Sequence, residues 1–241
     1  MAALSPSLDP ANVERYRKKD PRAGTVEPDP ELDGLAAALG AAQSAATEIE
    51  QLARTITADK TRTAQDNAVR VRTVATTIGQ RGVARLDSAL ERTRAEVARL
   101  TASTWAPAQP RNAIEEARAS ELRAVLRQMD DKSRATAIGG RLAAGDEAFL
   151  SAVLNADSLL TGLSATELES VRHRWRRQKY PVEIDRITRL QKAAEASQRA
   201  GLAFVGIVTT HTESPTARLA DAAAQRATEA VAIAIAAGNQ S

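Results

Sequence analysis

Cysteine is absent, which removes disulfides, thiolate zinc sites, iron–sulfur clusters and thiol nucleophiles together and agrees with a reducing cytoplasm. Aromatic residues make up only 2% of the 241-residue chain. A core of this composition has to be assembled from thin Ala, Leu, Ile and Val layers, which favour closely packed helices and bury little surface per residue. Self-association is therefore expected. Histidine occurs only at His173 and His211, far apart and outside any His-Glu-x-x-His spacing, so no metal site, catalytic residue or cofactor is expected. No apolar run reaches the roughly 18 residues of a membrane span, and the opening stretch lacks a signal-peptide core. A soluble chain without a membrane partner is expected.

Charge is nearly balanced, with 33 basic residues against 30 acidic ones and a net +3. Any affinity for a polyanion must then come from clustering rather than from net charge.

Residues 1–30 carry Pro6, Pro10, Pro21, Pro28 and Pro30 among charges, which predicts an extended, proline-rich arm. A short helical turn is expected within ANVERYRKKD. Residues 31–104 read as a long coiled-coil-like helical region, because Leu32, Leu35, Leu39, Ala42, Ala46, Ile49, Ala53 and Ile56 recur at three-four spacing. Leu32, Leu35, Leu39, Ile49 and Ile56 are the candidate self-association seam. The pattern thins in TADKTRTAQDN, then skips eight residues between Ile78 and Leu86 across Gly79 and Gly82, which reads as a stutter, a kink or a hairpin. As one rod the region would span roughly 110 Å.

Pro107 and Pro110 mark a linker over 105–111, and Asn112 with Glu115 predicts the cap of a helix to about Met129. The remainder, 112–241, reads as a helical bundle. Gly139, Gly140, Gly145 and Gly162 punctuate short helices there, and IGGRLAAGD lacks the Gly-Lys-Ser/Thr ending of a phosphate loop. Ser164 and Glu167 form a capping box for the helix that stops at Pro181. A further helix is expected from about Val182 to Thr209, and the last opens at Ser214-Pro215 and runs to about Ala237. The fold class is all-α: a long N-terminal helix or helical hairpin, then a helical bundle, with an extended N-terminal arm.

The most chemically loaded stretch is VRHRWRRQKYP, residues 171–181. Leu168, Val171 and Trp175 share the face that a helix buries. Arg172, Arg176 and Lys179 fall on another face, Arg174 and Arg177 on a third. Three readings stand for these five cations: a solvated, internally paired surface, a contact with an acidic partner, or phosphate contacts on nucleic acid. The doublets Glu115-Glu116 and Asp130-Asp131 are read as helix-end electrostatics. In GLAFVGIVTT, Gly201 and Gly206 suggest close helix packing around Phe204.

Residues 148–204, with a Phe-Leu start, the turn Leu160-Thr161-Gly162-Leu163 and a charged helix ending before proline, resemble small helical proteins encoded among the structural genes of tailed bacteriophages and prophages. The resemblance implies a virion or assembly role: head, neck, tail accessory, internal protein or scaffold. It implies as partners a second copy of the chain or other virion proteins, and as location the bacterial host cytoplasm during assembly and then the virion. No active site carries over, and no enzyme is expected. DNA binding or packaging through residues 171–180 is the alternative.

Overall fold

Helix accounts for 82% of the computed structural model, which describes residues 6–19 and 25–238, and no strand forms among the described residues. The fold class is all-α, as the periodicity predicts. A 3₁₀ turn at Pro6–Leu8 leads into α1 (Ala11–Glu14), α2 (Pro30–Ala58), α3 (Ala64–Ser103), α4 (Ala113–Gln128) and α5 (Asp131–Ala143). There follow α6 (Glu147–Leu154), α7 (Ser158–Thr161), α8 (Ala165–Lys179), α9 (Pro181–Thr212) and α10 (Pro215–Gly238). The chain divides into two compact units, one of residues 1–95 with 189–241, the other of residues 96–188. This differs from the expected division at 105–111, because α3 and α9 each contribute to both units.

In the first unit the seam is filled by the chain itself. Leu32, Leu35 and Leu39 have no exposed surface and Ile49 almost none, while Ile56 is half-buried. They share the core with Leu86 and Leu90 of α3 and with Leu190, Ala193, Ala200 and Phe204 of α9. The expected self-association seam is thus corrected: its leucines are already out of water and offer no area to another copy.

The expected extended arm is corrected over residues 6–19, where α1 forms the short helical turn expected within ANVERYRKKD, whereas 25–28 are exposed and outside any helix. Leu8 and Val13 are fully buried, and the 3₁₀ turn and α1 pack on α2. Five residues apart across Pro10, these two side chains supply enough apolar surface to seat the segment. Arg17 adds ion pairs to Glu14 at 3.2 Å and Asp33 at 2.5 Å. Pro21 lies outside the described residues.

The break in the long helical region falls at residues 59–63, where the apolar pattern thins. Asp59 accepts from the backbone N–H and the hydroxyl of Thr61 at 3.0 and 2.5 Å, and its carbonyl accepts from Asn67 Nδ2 at 2.7 Å. Thr63 Oγ1 then caps α3 by accepting from the Asp66 N–H at 3.1 Å. Those hydrogen bonds hold the Asp59 carboxyl below its ordinary value. No break occurs at Gly79 or Gly82, which lie inside α3. A Cβ on Gly82 would stand 2.6 Å from the Phe204 ring, and one on Gly79 would stand 2.7 Å from Val208. The eight-residue skip is therefore the mark of close approach by α9, not of a kink. Gly201 and Gly206, the glycines expected to give that closeness, have open space around them.

The second unit is organised around Leu126, Ile138, Leu150, Leu154, Leu168, Val171 and Trp175. Its helix starts follow the sequence. Asn112 Oδ1 accepts from the N–H groups of Ile114 and Glu115, and the Ser164–Glu167 capping box is complete. Asp130 caps α5, accepting from the Ser133 hydroxyl at 2.6 Å and from its N–H at 3.0 Å, and those bonds hold its carboxyl below the ordinary value. Gly145 and Gly162 have positive φ at turns, whereas Gly139 and Gly140, expected in turns, sit inside α5 with nothing within 4 Å of an added Cβ. Gly139→Ala and Gly140→Ala are each expected to stabilise the protein by about 0.5–1 kcal/mol, the helix-propensity difference. Equilibrium unfolding checks this; a loss at either position would mean that the helix is under strain there.

Candidate interaction surface on the basic helix

Helix α8 begins at the Ser164 cap and ends at Tyr180, before Pro181. Burial of Leu168, Val171 and Trp175 fixes its rotation, and that rotation decides what the cations do. The Trp175 ring meets Tyr180 edge-on at 5.5 Å between centroids.

Arg172, expected on an outward face, is only 7% exposed. Its guanidinium pairs with Glu169, donates to the Leu154 carbonyl at 3.0 Å and lies 4.5 Å from the centroid of the Trp105 ring. Arg176 takes the other position on the same ring at 5.8 Å and donates to Thr104 Oγ1 at 2.9 Å. Desolvation, followed by the neighbouring Arg172 charge, lowers the Arg176 pKa from its ordinary value. Lys179 pairs with Glu147 at 2.9 Å, and that hydrogen-bonded pair raises its pKa.

Three of the five candidate contacts are therefore engaged within the chain. Arg172 and Arg176 clamp the Trp105 that opens the proline-containing connection, and Lys179 ties α8 to α6. Of the three readings of the cluster, internal pairing describes these three side chains, and the pair of Arg172 with Glu169 is one that helical spacing offers. A stem facing the core can reach inward as readily as outward, and a wheel drawn for one helix cannot show an aromatic ring waiting beside it. Arg174 and Arg177 remain exposed and have no ion pair with a described residue.

One residue that the sequence did not single out holds much of this unit together. Arg134, 8% exposed, donates to the carbonyls of Leu126 at 2.9 Å, Met129 at 2.7 Å and Gly162, and pairs with Asp131 at 3.1 Å. Those carbonyls belong to the last turn of α4 and to the turn after α7. In sequence it is an unremarkable arginine between a lysine-serine pair and an alanine.

The remaining candidates stay apart. Among the described residues no group of three His, Cys, Asp or Glu could hold a metal ion. His173 is exposed. His211 lines a cavity of about 860 Å³ in the first unit with Glu50, Arg54, Asn67 and Val71. The Asn67 side-chain oxygen is buried without a partner. Glu116 pairs with Arg123 at 2.6 Å, so this acidic doublet serves structure. Among the described residues no helix is long and apolar enough to cross a membrane.

Comparison with family models, with curated proteins and with solved structures found no match to this chain.

The apolar side chains left in water lie elsewhere. On α9, Leu202 and Val205 are exposed beside the buried Phe204. On α10, every described side chain from Gln225 to Ile233 is exposed, Val231 and Ile233 included. The start of that helix is anchored by the fully buried Ala217, whose N–H donates to Ser214 Oγ at 3.2 Å. Helix is thus what VAIAIA adopts, despite its period of two.

Proposed function

We propose that this chain is a structural or interaction protein, an assembly component of a tailed-phage particle that works through helix-mediated contacts with another copy of itself or with other virion proteins. The observation that carries the reading is α10. A helix whose described side chains are exposed around the whole circumference over 225–233 gets no packing from its own chain there, and packing is what supplies most helical stability in proteins. Burying its alanines with Leu219, Val231 and Ile233 against another helix would supply the missing support. The finer architecture fits the same role. We read α2 and α3 as a hairpin, a reading supported by the cavity that residues of 53–58 and 64–71 line together and by Arg92 lying beside Gly34. Assembly would take place in the host cytoplasm and end in the particle, in keeping with the resemblance of residues 148–204.

The nucleic-acid alternative retains two of its five proposed contacts, Arg174 and Arg177, which supports it less well than the assembly reading. Phosphate contacts by that helix would need cations that instead hold Trp105 and Glu147.

Absolute mass by light scattering behind size exclusion tests the proposal. The wild-type chain is expected to run above its 25.6 kDa monomer mass, and Val231→Glu with Ile233→Glu to return it to the monomer. An oligomer indifferent to both substitutions would refute the role given to α10.

A further inference from the structure

We infer that the first unit carries an oxyanion site between α1 and α9 in which Arg15 and Arg199 together hold a phosphate group, either free phosphate or one carried by a nucleic acid. A cavity of about 250 Å³ is lined by Ser7, Asn12, Arg15, Ala196 and Arg199. Among the described residues its lining has two guanidinium groups and no carboxylate. Bringing two cations to one depression is unfavourable unless something neutralises them, and the nearby acids are occupied or turned elsewhere. Asp9 Oδ1 accepts from the Ala11 N–H at 2.9 Å, and Glu14 pairs with Arg17. Glu195, one turn before Arg199, makes no ion pair with it. Neither Arg15 nor Arg199 has a carboxylate partner among the described residues.

The surroundings shape the cavity for an anion rather than for water alone. Arg15 donates to Tyr16 Oη at 3.0 Å and lies 4.9 Å from that ring's centroid, which restrains its guanidinium. Asn12 Nδ2 donates to the Ser7 carbonyl at 3.4 Å and ties the 3₁₀ turn to α1 beside the cavity. The buried Ala196 closes the floor. Lys192 shares a face of α9 with Ala196 and Arg199 by its spacing of four and seven, and it is exposed. Planar guanidinium forks match the paired oxygens of a phosphate, and charge-assisted bonds of this kind are the stronger class. This site is independent of the assembly reading, since it involves neither α10 nor α8.

The test is calorimetric titration of the full chain with inorganic phosphate at constant ionic strength, and in parallel with a short DNA duplex. Arg15→Gln and Arg199→Gln are each expected to weaken phosphate binding by at least about 10-fold, and the double variant to abolish it. Arg226→Gln, on α10, should leave it unchanged. Both target positions are exposed, so an unaltered melting temperature separates loss of binding from loss of fold. A duplex that binds more tightly than inorganic phosphate and depends on both arginines assigns the phosphate to nucleic acid; comparable or weaker duplex binding assigns it to the free ion. Absence of binding by either probe, or binding that the double variant retains, overturns the site.

Discussion

Replacing Arg134 with methionine is expected to cost the second unit about 3 kcal/mol. The substitution keeps length and packing but removes donors from the carbonyls of Leu126, Met129 and Gly162. The Leu126 carbonyl keeps the Met129 N–H at 3.3 Å, whereas the carbonyls of Met129 and Gly162 lose their donor near the end of a helix or turn. The lost pair with Asp131 contributes little, because that carboxylate is 93% exposed. Lysine in place of Arg134 keeps the charge but cannot reach three carbonyls from one fork, so it should recover less than half of the loss. Both tryptophans, Trp105 and Trp175, lie within residues 96–188, so urea unfolding followed by tryptophan fluorescence reports on this unit. A midpoint unchanged in Arg134→Met would show that water satisfies those carbonyls equally well.

Gly82→Val should cost about 3 kcal/mol, and Gly82→Ala about 1 kcal/mol. Alanine gains helix propensity at that position, but its Cβ would sit 2.6 Å from two ring atoms of Phe204, which has no exposed surface and nowhere to turn. Valine adds two methyl groups to the same clash. Phe204→Leu should cancel part of the Gly82→Ala cost when the two are combined, because removing the ring removes the obstacle. Thermal unfolding by far-UV circular dichroism measures the four variants, Phe204→Leu alone included. Additive losses in the double variant would mean that the glycine is needed for a reason other than the ring.

These two sites also show what was legible beforehand. The seam positions from Leu32 to Ile49, the caps at Asn112, Ser164 and Ser214, and the buried stripe of Leu168, Val171 and Trp175 follow from local spacing, and local spacing is what a sequence records directly. Gly82 was visible as an anomaly but not as a contact, since Phe204 lies more than a hundred residues away along the chain. Arg134 gave no signal because its partners are backbone carbonyls, which every residue has. Arg172 and Arg176 pointed to the right helix and the wrong use, for the ring that they flank belongs to the distant Trp105. The seam leucines are buried within the chain, which leaves them no area to offer to a second copy.

Those corrections move the expected intermolecular surface from the seam to α10. Hydrogen exchange read by mass spectrometry, at rising protein concentration and with candidate virion partners added, tests that shift most directly. The account predicts that amides of residues 32–49 are protected at every concentration, while those of 225–233 exchange quickly in dilute protein and slow as assembly proceeds. Fast exchange across 32–49 in dilute protein, with protection appearing there on assembly and none gained in α10, would contradict it.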